Sequence, residues 1–556
     1  MATPINWDGA ADVVVIGSGA SGLPAAIVAR EAGASVIVVE TQNHIGGHAI
    51  TSGGNLPLGG GNSYQQKYGI KDSPDVFFAD LTDWSVVEPN GAAPYRYNDR
   101  EIIRAFADNS VAAFDFLLGH GVKVVDRRPN GVGHEIGVSA LRTMQIDVAD
   151  WPMVHTGKPA AANDEDTRAG AGLMRPLHAA ALKAGVEILL EHRMTAIHRQ
   201  GPRAGRVSGI AVDHRGAILN LRARKAVIIA TGGSSGNVDF RRMFDPRLTE
   251  EYCGLAGMPY SDQDASGELA AIAIGAALWG LTNFCGEYGS GITKPGAIGC
   301  QYGYVNVRWY PGSEVFHQAR AIGLAVADWQ NVILVNMLGK RFYDETGHHF
   351  TYSTYNSVDP YQPHSYLNAK NVTYNPNNFI NAALAGIGDG HNGGGPIWAI
   401  FDADAVARER WEPKPRYVDF DQGFFFAANS IEELAGKIVM KYQRVPMPPD
   451  NLLQTVARYN RFVETGTDAD FGKPKPRYKI ARPPFYAAWA TPVIHDTRAG
   501  LRINARCQVV DMNGEVIPGL YCGGESAGGF SMHGLPRAIC QGFIAGRNAA
   551  AESEDA

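Results

Sequence analysis

Cysteine is scarce and poorly spaced for metal chemistry. The 556 residues hold six, Cys253, Cys285, Cys300, Cys507, Cys522 and Cys540, and no two of them form a C-x-x-C. Zinc, iron–sulfur and c-type haem attachment therefore lack their usual local signature, and no metal site is expected. Reduced thiols in an intracellular chain fit this usage. A basic surplus is also missing. The formal net charge is −6, which leaves no electrostatic footprint for nucleic acid and none for an anionic membrane surface. No apolar run is long enough to span a bilayer. Residues Met1 to Gly9 show neither a basic n-region nor an apolar h-region, so the expectation is a soluble, cytoplasmic protein. Internal repeats and low-complexity segments are absent.

Glycine, in contrast, is abundant: 65 residues, many in short runs. Such runs suit places where backbone comes close to a ligand. Hydrophobic residues at 45% and charged residues at 19% are ordinary globular values. The length exceeds what one compact core holds, so two lobes are expected.

The first glycine run is the most informative. Asp12-Val13-Val14-Val15-Ile16 is a β-branched segment of the kind that forms a buried parallel strand. It leads into Gly17-Ser18-Gly19-Ala20-Ser21-Gly22 and then a helical stretch, Leu23 to Ala32. Gly17 permits the tight turn, Gly19 lets a pyrophosphate approach the backbone, and Gly22 lets helix and strand pack closely. Ala20 and Ser21 stand between them, where a helix N-terminus favours an anion. A second strand, Ser35 to Val39, ends in Glu40, placed to accept from a ribose hydroxyl and to disfavour a 2′-phosphate.

This motif alone does not choose between NAD and FAD. The following segments point to FAD. Gly46-Gly47-His48-Ala49 and Ser52-Gly53-Gly54 can bring N–H groups around pyrophosphate and the flavin edge. Ala226 to Gly233 is another buried strand ending in glycines, with Ala230, Thr231 and Gly232 at its tip. Gly519 to Glu525 is a third such element, presenting Gly524 and Glu525, and Gln541 to Ala551 reads as a closing helix. Cofactor elements at both ends of the chain imply a nucleotide domain split by an insertion.

These elements, in this order, resemble the flavoprotein family of soluble fumarate reductases and ketosteroid dehydrogenases. The resemblance spans nearly the whole chain and is strongest over 10–60, 225–280 and 484–550. It implies an α/β fold, a Rossmann-like FAD-binding domain interrupted by an α+β capping domain. The expected parts are residues 1–282, the cap 283–485, and 486–556. It also implies hydride exchange between flavin N5 and a carbon–carbon bond beside a carbonyl or carboxylate, with the FAD held non-covalently. His48 makes an attached flavin a minority alternative.

The stretch from Pro484-Phe485-Tyr486 through Thr491-Pro492-Val493-Ile494-His495-Asp496-Thr497-Arg498-Ala499-Gly500-Leu501 looks like the fumarate reductase segment that carries a substrate-binding histidine, and His495 falls on that histidine. His533-Gly534-Leu535-Pro536-Arg537 looks like the family's H-G-x-x-R, whose arginine grips a substrate carboxylate, and Arg537 falls there. Ala538 and Ile539, next to it, are counted among the cofactor contacts. A planar guanidinium suits a carboxylate or an enolate oxygen because its donors form a fixed fork.

Two departures from the fumarate pattern bear on substrate. The family's H-P-T triplet has no counterpart in Trp279-Gly280-Leu281-Thr282-Asn283-Phe284, which follows an expected helix Glu268 to Leu278. The cap segment G-K-R-F-x-x-E-x-x-x-R is matched by Gly339-Lys340-Arg341-Phe342-Tyr343-Asp344-Glu345, but the arginine's position is His349. Ketosteroid dehydrogenases carry a tyrosine there. The cap is rich in aromatics, which suits a bulky, partly apolar ring system; the alternative reading is that most of them pack the cap's own core.

The reading is desaturation of, or ene-reduction to, a cyclic ketone, with a steroid-like ring system as one candidate. Arg537 with His495 is assigned the oxyanion role. His349 is assigned proton transfer, since histidine titrates near neutral pH. His348 is adjacent, and a one-residue alignment slip exchanges the two; Tyr352 and Tyr355 are reserves. No second G-x-G-x-x-G and no haem domain are evident. The partners expected are therefore a small-molecule substrate and an external electron donor or acceptor: a quinone, a carrier protein, oxygen or a reduced flavin. An ene-reductase of an unsaturated carboxylate is the competing enzyme. A flavin-binding assembly or carrier protein is the competitor from another class.

Overall fold

The computed structural model describes residues 5–82, 99–130, 139–150, 167–244, 248–252, 261–279, 292–293, 296–302, 320–342, 344–346, 395–494, 497, 499–530, 532 and 534–553. The fold class is α/β, a Rossmann-like parallel sheet with separate antiparallel sheets beside it.

The chain enters through β1 (Gly9–Ile16), whose Val13, Val14 and Val15 are fully buried. Helix α1 (Gly22–Glu31) follows, with Ala25, Ala26 and Ala29 turned inward. Strand β2 is Val36–Val39. Helix α2 (Arg100–Gly119) starts at Asp99, whose carboxylate accepts from the Ile102 N–H at 3.0 Å, a cap that satisfies one orphan donor of the first turn. Then come α3 (Ala169–Ala184), β3 (Glu187–Leu189), β4 (Arg193–Arg199), β5 (Val207–His214) and β6 (Ala217–Ile229).

Strand β6 has two halves. Ala217–Arg222 pairs antiparallel with β5, and the apolar end Ala226–Ile229 pairs parallel with β1. The expected run of β-branched residues before Thr231 is therefore a central strand. Helix α4 is Ser266–Ala273. It is shorter than the helix expected over Glu268 to Leu278. Gly275 adopts φ +104, which a right-handed helix cannot contain, and Leu278–Trp279 instead pairs antiparallel with Gly500–Leu501.

The inserted segment brings β7 (Ile333–Val335), β8 (Trp398–Asp402), β9 (Phe425–Ala428), helix α5 (Pro449–Thr465) and β10 (Phe485–Trp489). Its four strands form one antiparallel sheet in the order β7-β8-β10-β9. The chain then returns to the first sheet with β11 (Gln508–Val510), β12 (Val516–Cys522) and the closing helix α6 (Leu535–Ala550). The main sheet is ordered β11-β12-β6-β1-β2-β3, with β5 pairing β6 and β4 pairing β5.

The apolar cores follow the same division. One cluster draws its buried residues from 11–276 and 501–550. Two others draw theirs only from 298–490. Strand β10 sits inside the insertion's sheet, between β8 and β9. The expected boundary at 485 falls on the first residue of this strand. Among the described residues, no helix is long and apolar enough to cross a membrane, and no cluster of His, Cys, Asp or Glu could hold a metal ion.

Candidate functional site

The carboxyl ends of β2, β1, β6 and β12 lie side by side, where open α/β sheets bind their ligands. Gly17 follows β1 at φ +101. A Cβ there would stand 2.3 Å from the Ala230 carbonyl oxygen, so only glycine passes. A Cβ at Gly22 would stand 1.9 Å from the Gly17 oxygen, which is the close approach of helix to strand expected at that position. At Gly19 the nearest atom to such a Cβ is 3.8 Å away, so the turn is open above it.

Helix α1 has no acidic residue in its first turn and no side-chain cap at Ser21. The Ser21 hydroxyl is buried without a hydrogen-bond partner. An open glycine turn, an uncapped helix N-terminus and an orphaned hydroxyl together fit the pyrophosphate of a dinucleotide.

Glu40, at the end of β2, is buried. Its Oε2 accepts from the Ser18 N–H at 2.9 Å and from the Ser18 hydroxyl at 2.6 Å, and its Oε1 accepts from the Gln42 N–H at 3.0 Å. The Ser18 oxygen accepts in turn from the Gly46 N–H at 3.3 Å. Glu40 thus ties the Gly17 turn to the second glycine loop, and its Oε1 retains capacity for a further donor.

In that second loop Gly47–Thr51 forms a short 3-10 turn. His48 Nδ1 stands 2.9 Å from Glu525 Oε1. The Gln263 amide donates to Glu525 Oε2 and to the Gly232 carbonyl, both at 2.8 Å, and accepts from the Ser235 hydroxyl at 2.6 Å. Ala49 carbonyl oxygen accepts from the Ser52 N–H, Gly54 donates to the Ser52 hydroxyl, and Gly53 is exposed with nothing near a would-be Cβ. The Thr231 and Ser526 hydroxyls are 2.9 Å apart, and the Gly233 N–H donates to Ser526 at 3.2 Å. Gly524 donates to the Gln541 side chain at 2.9 Å and packs near Ala538, while Ile539 is fully buried. The segments around Gly17, His48, Thr231 and Glu525 are therefore drawn together at one edge of the sheet.

A sequence model described as the FAD binding domain matches residues 12–538. The chain belongs to this FAD-binding family. It is an FAD-dependent oxidoreductase of the class acting on CH–CH bonds. The chain is 25% identical over 96% of its length to an acrylate reductase flavoprotein subunit of Shewanella woodyi, covering 89% of that protein. It is also 25% identical over 94% of its length to a 3-oxosteroid 1-dehydrogenase of Mycobacterium tuberculosis, covering 94% of that protein. Its fold is similar to a solved 3-ketosteroid Δ1-dehydrogenase of Sterolibacterium denitrificans, with a TM-score of 0.64 at 21% identity over 98% of this chain and 100% of that one.

Of the expected catalytic residues in this flavoprotein, only Arg537 is among those described. His495, His349, Tyr352 and the alternatives His348 and Tyr355 lie outside the described residues, as does His533. Arg537 sits in the first turn of α6 and is fully buried. Its Nη1 donates to the Phe530 carbonyl at 2.9 Å and its Nη2 to the Thr497 carbonyl at 2.6 Å. Thr497 Oγ1 accepts from the Ser234 N–H at 3.2 Å, so Arg537 is joined through one residue to the tip of β6.

In the cap, the segment matched at Gly339 to Glu345 forms a buried ion cluster. Arg341 Nε is 2.7 Å and Nη2 2.9 Å from the two Glu345 oxygens, Arg341 Nη1 is 2.7 Å from Asp468, and Lys473 Nζ is 3.1 Å from Glu345. Burial pushes the Glu345 carboxyl up, but the Arg341 and Lys473 charges prevail and hold it at about 2. Burial also drives Lys473 below the ordinary lysine range against the pull of Glu345.

The sequence reading missed Gln263, Thr497, Ser526 and Gln541. Ser526 carried a signal as the residue after Gly524-Glu525, and Thr497 as a member of the stretch Pro484 to Leu501, though with no role assigned. Gln263 stands in no motif, and its contact with Glu525 spans 262 positions.

Proposed function

We infer that this flavoprotein desaturates a cyclic ketone, or reduces the corresponding enone, at the carbon–carbon bond beside the carbonyl. The observation that carries this reading is the incomplete fumarate set. Trp279 to Phe284 has no histidine, and the position of the cap arginine is His349. A doubly charged substrate would want both cationic groups. A ketone needs one oxygen stabilised and one proton moved.

When bound, FAD supplies the two-electron partner that exchanges hydride at N5. Gly17, Gly19, Ala20, Ser21 and Gly22 hold its pyrophosphate, with Glu40 at the ribose. Gly46, Gly47, His48 and Ala49, Ser52 to Gly54, Ala230 to Gly232, Gly524, Glu525, Ala538 and Ile539 line the rest. Binding is non-covalent. Arg537, with His495, offers N–H donors to the substrate oxygen as it gains enolate character. The placement of Arg537 beside Thr497, in contact with the β6 tip, supports this. His349 moves the proton at the α carbon, with Tyr352 next in line. Electrons leave or arrive through an external partner: a quinone, a carrier protein, oxygen or a reduced flavin.

A second reading is ene-reduction of an unsaturated carboxylate, favoured by the similarity to an acrylate reductase subunit. Steady-state rates with a cyclic enone, acrylate and fumarate separate the two. Turnover of the enone alone supports the ketone reading. Turnover of either acid with an inert enone replaces it.

A further inference from the structure

Residues 248–252 belong to the main core of neither lobe. Leu248 and Tyr252 pack instead with Ile494 and Ala499, on the segment where the chain returns from the insertion. Beside them lies the connection between the two parts. The outgoing strand Ile292–Thr293 pairs antiparallel with the returning strand Val493–Ile494. So short a two-stranded ribbon cannot by itself hold two lobes at a fixed angle.

From the 248–252 loop the fully buried Glu251 side chain reaches into the insertion. Its Oε1 accepts from the Gly395 N–H and from Arg444 Nη2, both at 3.1 Å, and its Oε2 accepts from Arg444 Nη1 at 3.3 Å. Guanidinium and carboxylate thus meet fork to fork, which adds direction as well as strength. Arg444 is firmly mounted. Its neighbour Gln443 donates to the Met337 and Val445 carbonyls at 2.8 Å and accepts from the Trp398 indole at 3.1 Å. A second pair across the same seam, Lys441 and Glu250, is 3.8 Å apart and exposed on both sides, so it adds little.

The same loop is tied to the cofactor edge. Arg241 is buried, and its guanidinium donates to the carbonyls of Leu248 at 2.9 Å, of Thr249 and of Tyr252, and to that of Ser235 at 2.6 Å. The Ser235 hydroxyl donates to Gln263, whose amide holds the Gly232 carbonyl and Glu525. Hydrogen bonds and one five-residue loop therefore connect Glu525 and the tip of β6 with Gly395 and Arg444 of the insertion.

We propose that Glu251 is a positioning residue: through Arg444 and Gly395 it clasps the insertion to the FAD-binding part and fixes the angle at which the insertion stands over the cofactor edge. The inference rests on the insertion capping the flavin, as the proposed function holds. Energetics give the clasp a signature. Without Arg444, the buried Glu251 carboxylate keeps only the Gly395 N–H, and it gains most by reaching water, which opens the seam. When the carboxylate is neutralised as well, no charge drives the opening, so the second substitution offsets part of the first.

The test is hydrogen exchange of the FAD-loaded protein, read by mass spectrometry, with the rate of FAD release on dilution read by the fluorescence of free flavin. Arg444→Ala should speed exchange at 248–252 and 395–397 about tenfold or more. Strands β8 and β10, inside the insertion, should keep wild-type protection, and FAD should leave several times faster. The double variant Glu251→Gln with Arg444→Ala should lie closer to the wild type than Arg444→Ala alone. Unchanged exchange at the seam in Arg444→Ala overturns the proposal. So does equal deprotection of β8 and β10, which marks an unfolded insertion rather than an opened seam, and so does a double variant that opens as far as the single one. An opened seam with wild-type FAD release also overturns it, because the clasp then has no bearing on the cofactor edge. Wild-type protein that takes up no FAD removes the flavin reading instead, which separates the two failures.

Discussion

His48 Nδ1 and Glu525 Oε1, 477 positions apart in the chain, are 2.9 Å from each other. The pair joins the loop after β2 to the turn after β12, and Gln263 fastens the second oxygen of the same carboxylate from the loop before α4. Three segments of the FAD-binding part are thus locked by one buried side chain. Glu525→Ala should leave His48 and Gln263 without their shared acceptor and weaken FAD binding by about 1–3 kcal/mol, the cost of stranding buried polar groups. Equilibrium dialysis of apoprotein with FAD measures it. Unchanged affinity would show that the lock does not bear on the cofactor.

The glycine turn gives a sharper expectation. Gly22→Ala places a methyl group 1.9 Å from the Gly17 oxygen, so α1 must move away from β1. Purified Gly22→Ala should be colourless or aggregated, whereas Gly33→Ser, beyond α1 where nothing lies within 4 Å of an added Cβ, should stay yellow, with only the modest cost of a side chain at φ +92. Flavin absorbance per mole of protein reads the difference.

Much of this half of the molecule was legible in the sequence because its signals are local. The run Asp12 to Gly22 specifies strand, turn and helix within eleven residues, and Glu40 lies one strand further on. The cap was legible only as an insertion. Strand β10 reads as an apolar segment next to the return, and only its pairing with β8 and β9 assigns it to the cap. The match at Arg341 and Glu345 was visible, but their partners Asp468 and Lys473 come more than a hundred residues later and carry no pattern. Glu268 illustrates a different limit. Its helix was anticipated over Glu268 to Leu278, starting later and running longer than Ser266–Ala273, and nothing in the sequence tells that a glutamate there is wholly buried.

The cap cluster predicts an acid limb. Glu345 is held at about 2 against an ordinary 4.5, so its contribution to stability is complete above about pH 5 and drains away as pH falls through 4.5 toward 2. Glu345→Gln should remove that limb and destabilise the fold by about 3 kcal/mol at neutral pH, because Arg341 and Lys473 stay buried with only Asp468 and the Trp329 and Val332 carbonyls to answer them. Denaturant melts of both proteins at pH 3.5 and 7 test it. The gap between them should narrow at the lower pH; a constant gap would contradict the assignment.

Arg537 divides three accounts. If it stabilises an enolate-like oxygen, Arg537→Ala should lose about 2.7–4 kcal/mol of transition-state stabilisation while substrate affinity changes little. Arg537→Lys, which keeps charge but loses the fork, should also be slow. If it grips a carboxylate, affinity for acids should fall most. If it serves only to hold the Phe530 and Thr497 carbonyls, flavin content and stability should drop with unchanged flavin reduction per bound flavin. Stopped-flow reduction with parallel flavin quantitation distinguishes them.

The proposed hydride exchange with a ketone, at the carbon–carbon bond beside its carbonyl, is tested most directly by the visible spectrum of the bound flavin under anaerobic conditions, with saturated cyclic ketones and saturated carboxylic acids added in turn. The account predicts that at least one cyclic ketone bleaches the oxidised flavin band, with the enone as product, and that the acids leave it yellow. Bleaching by an acid with every ketone inert would contradict it, as would a chemically reducible flavin that neither class can bleach.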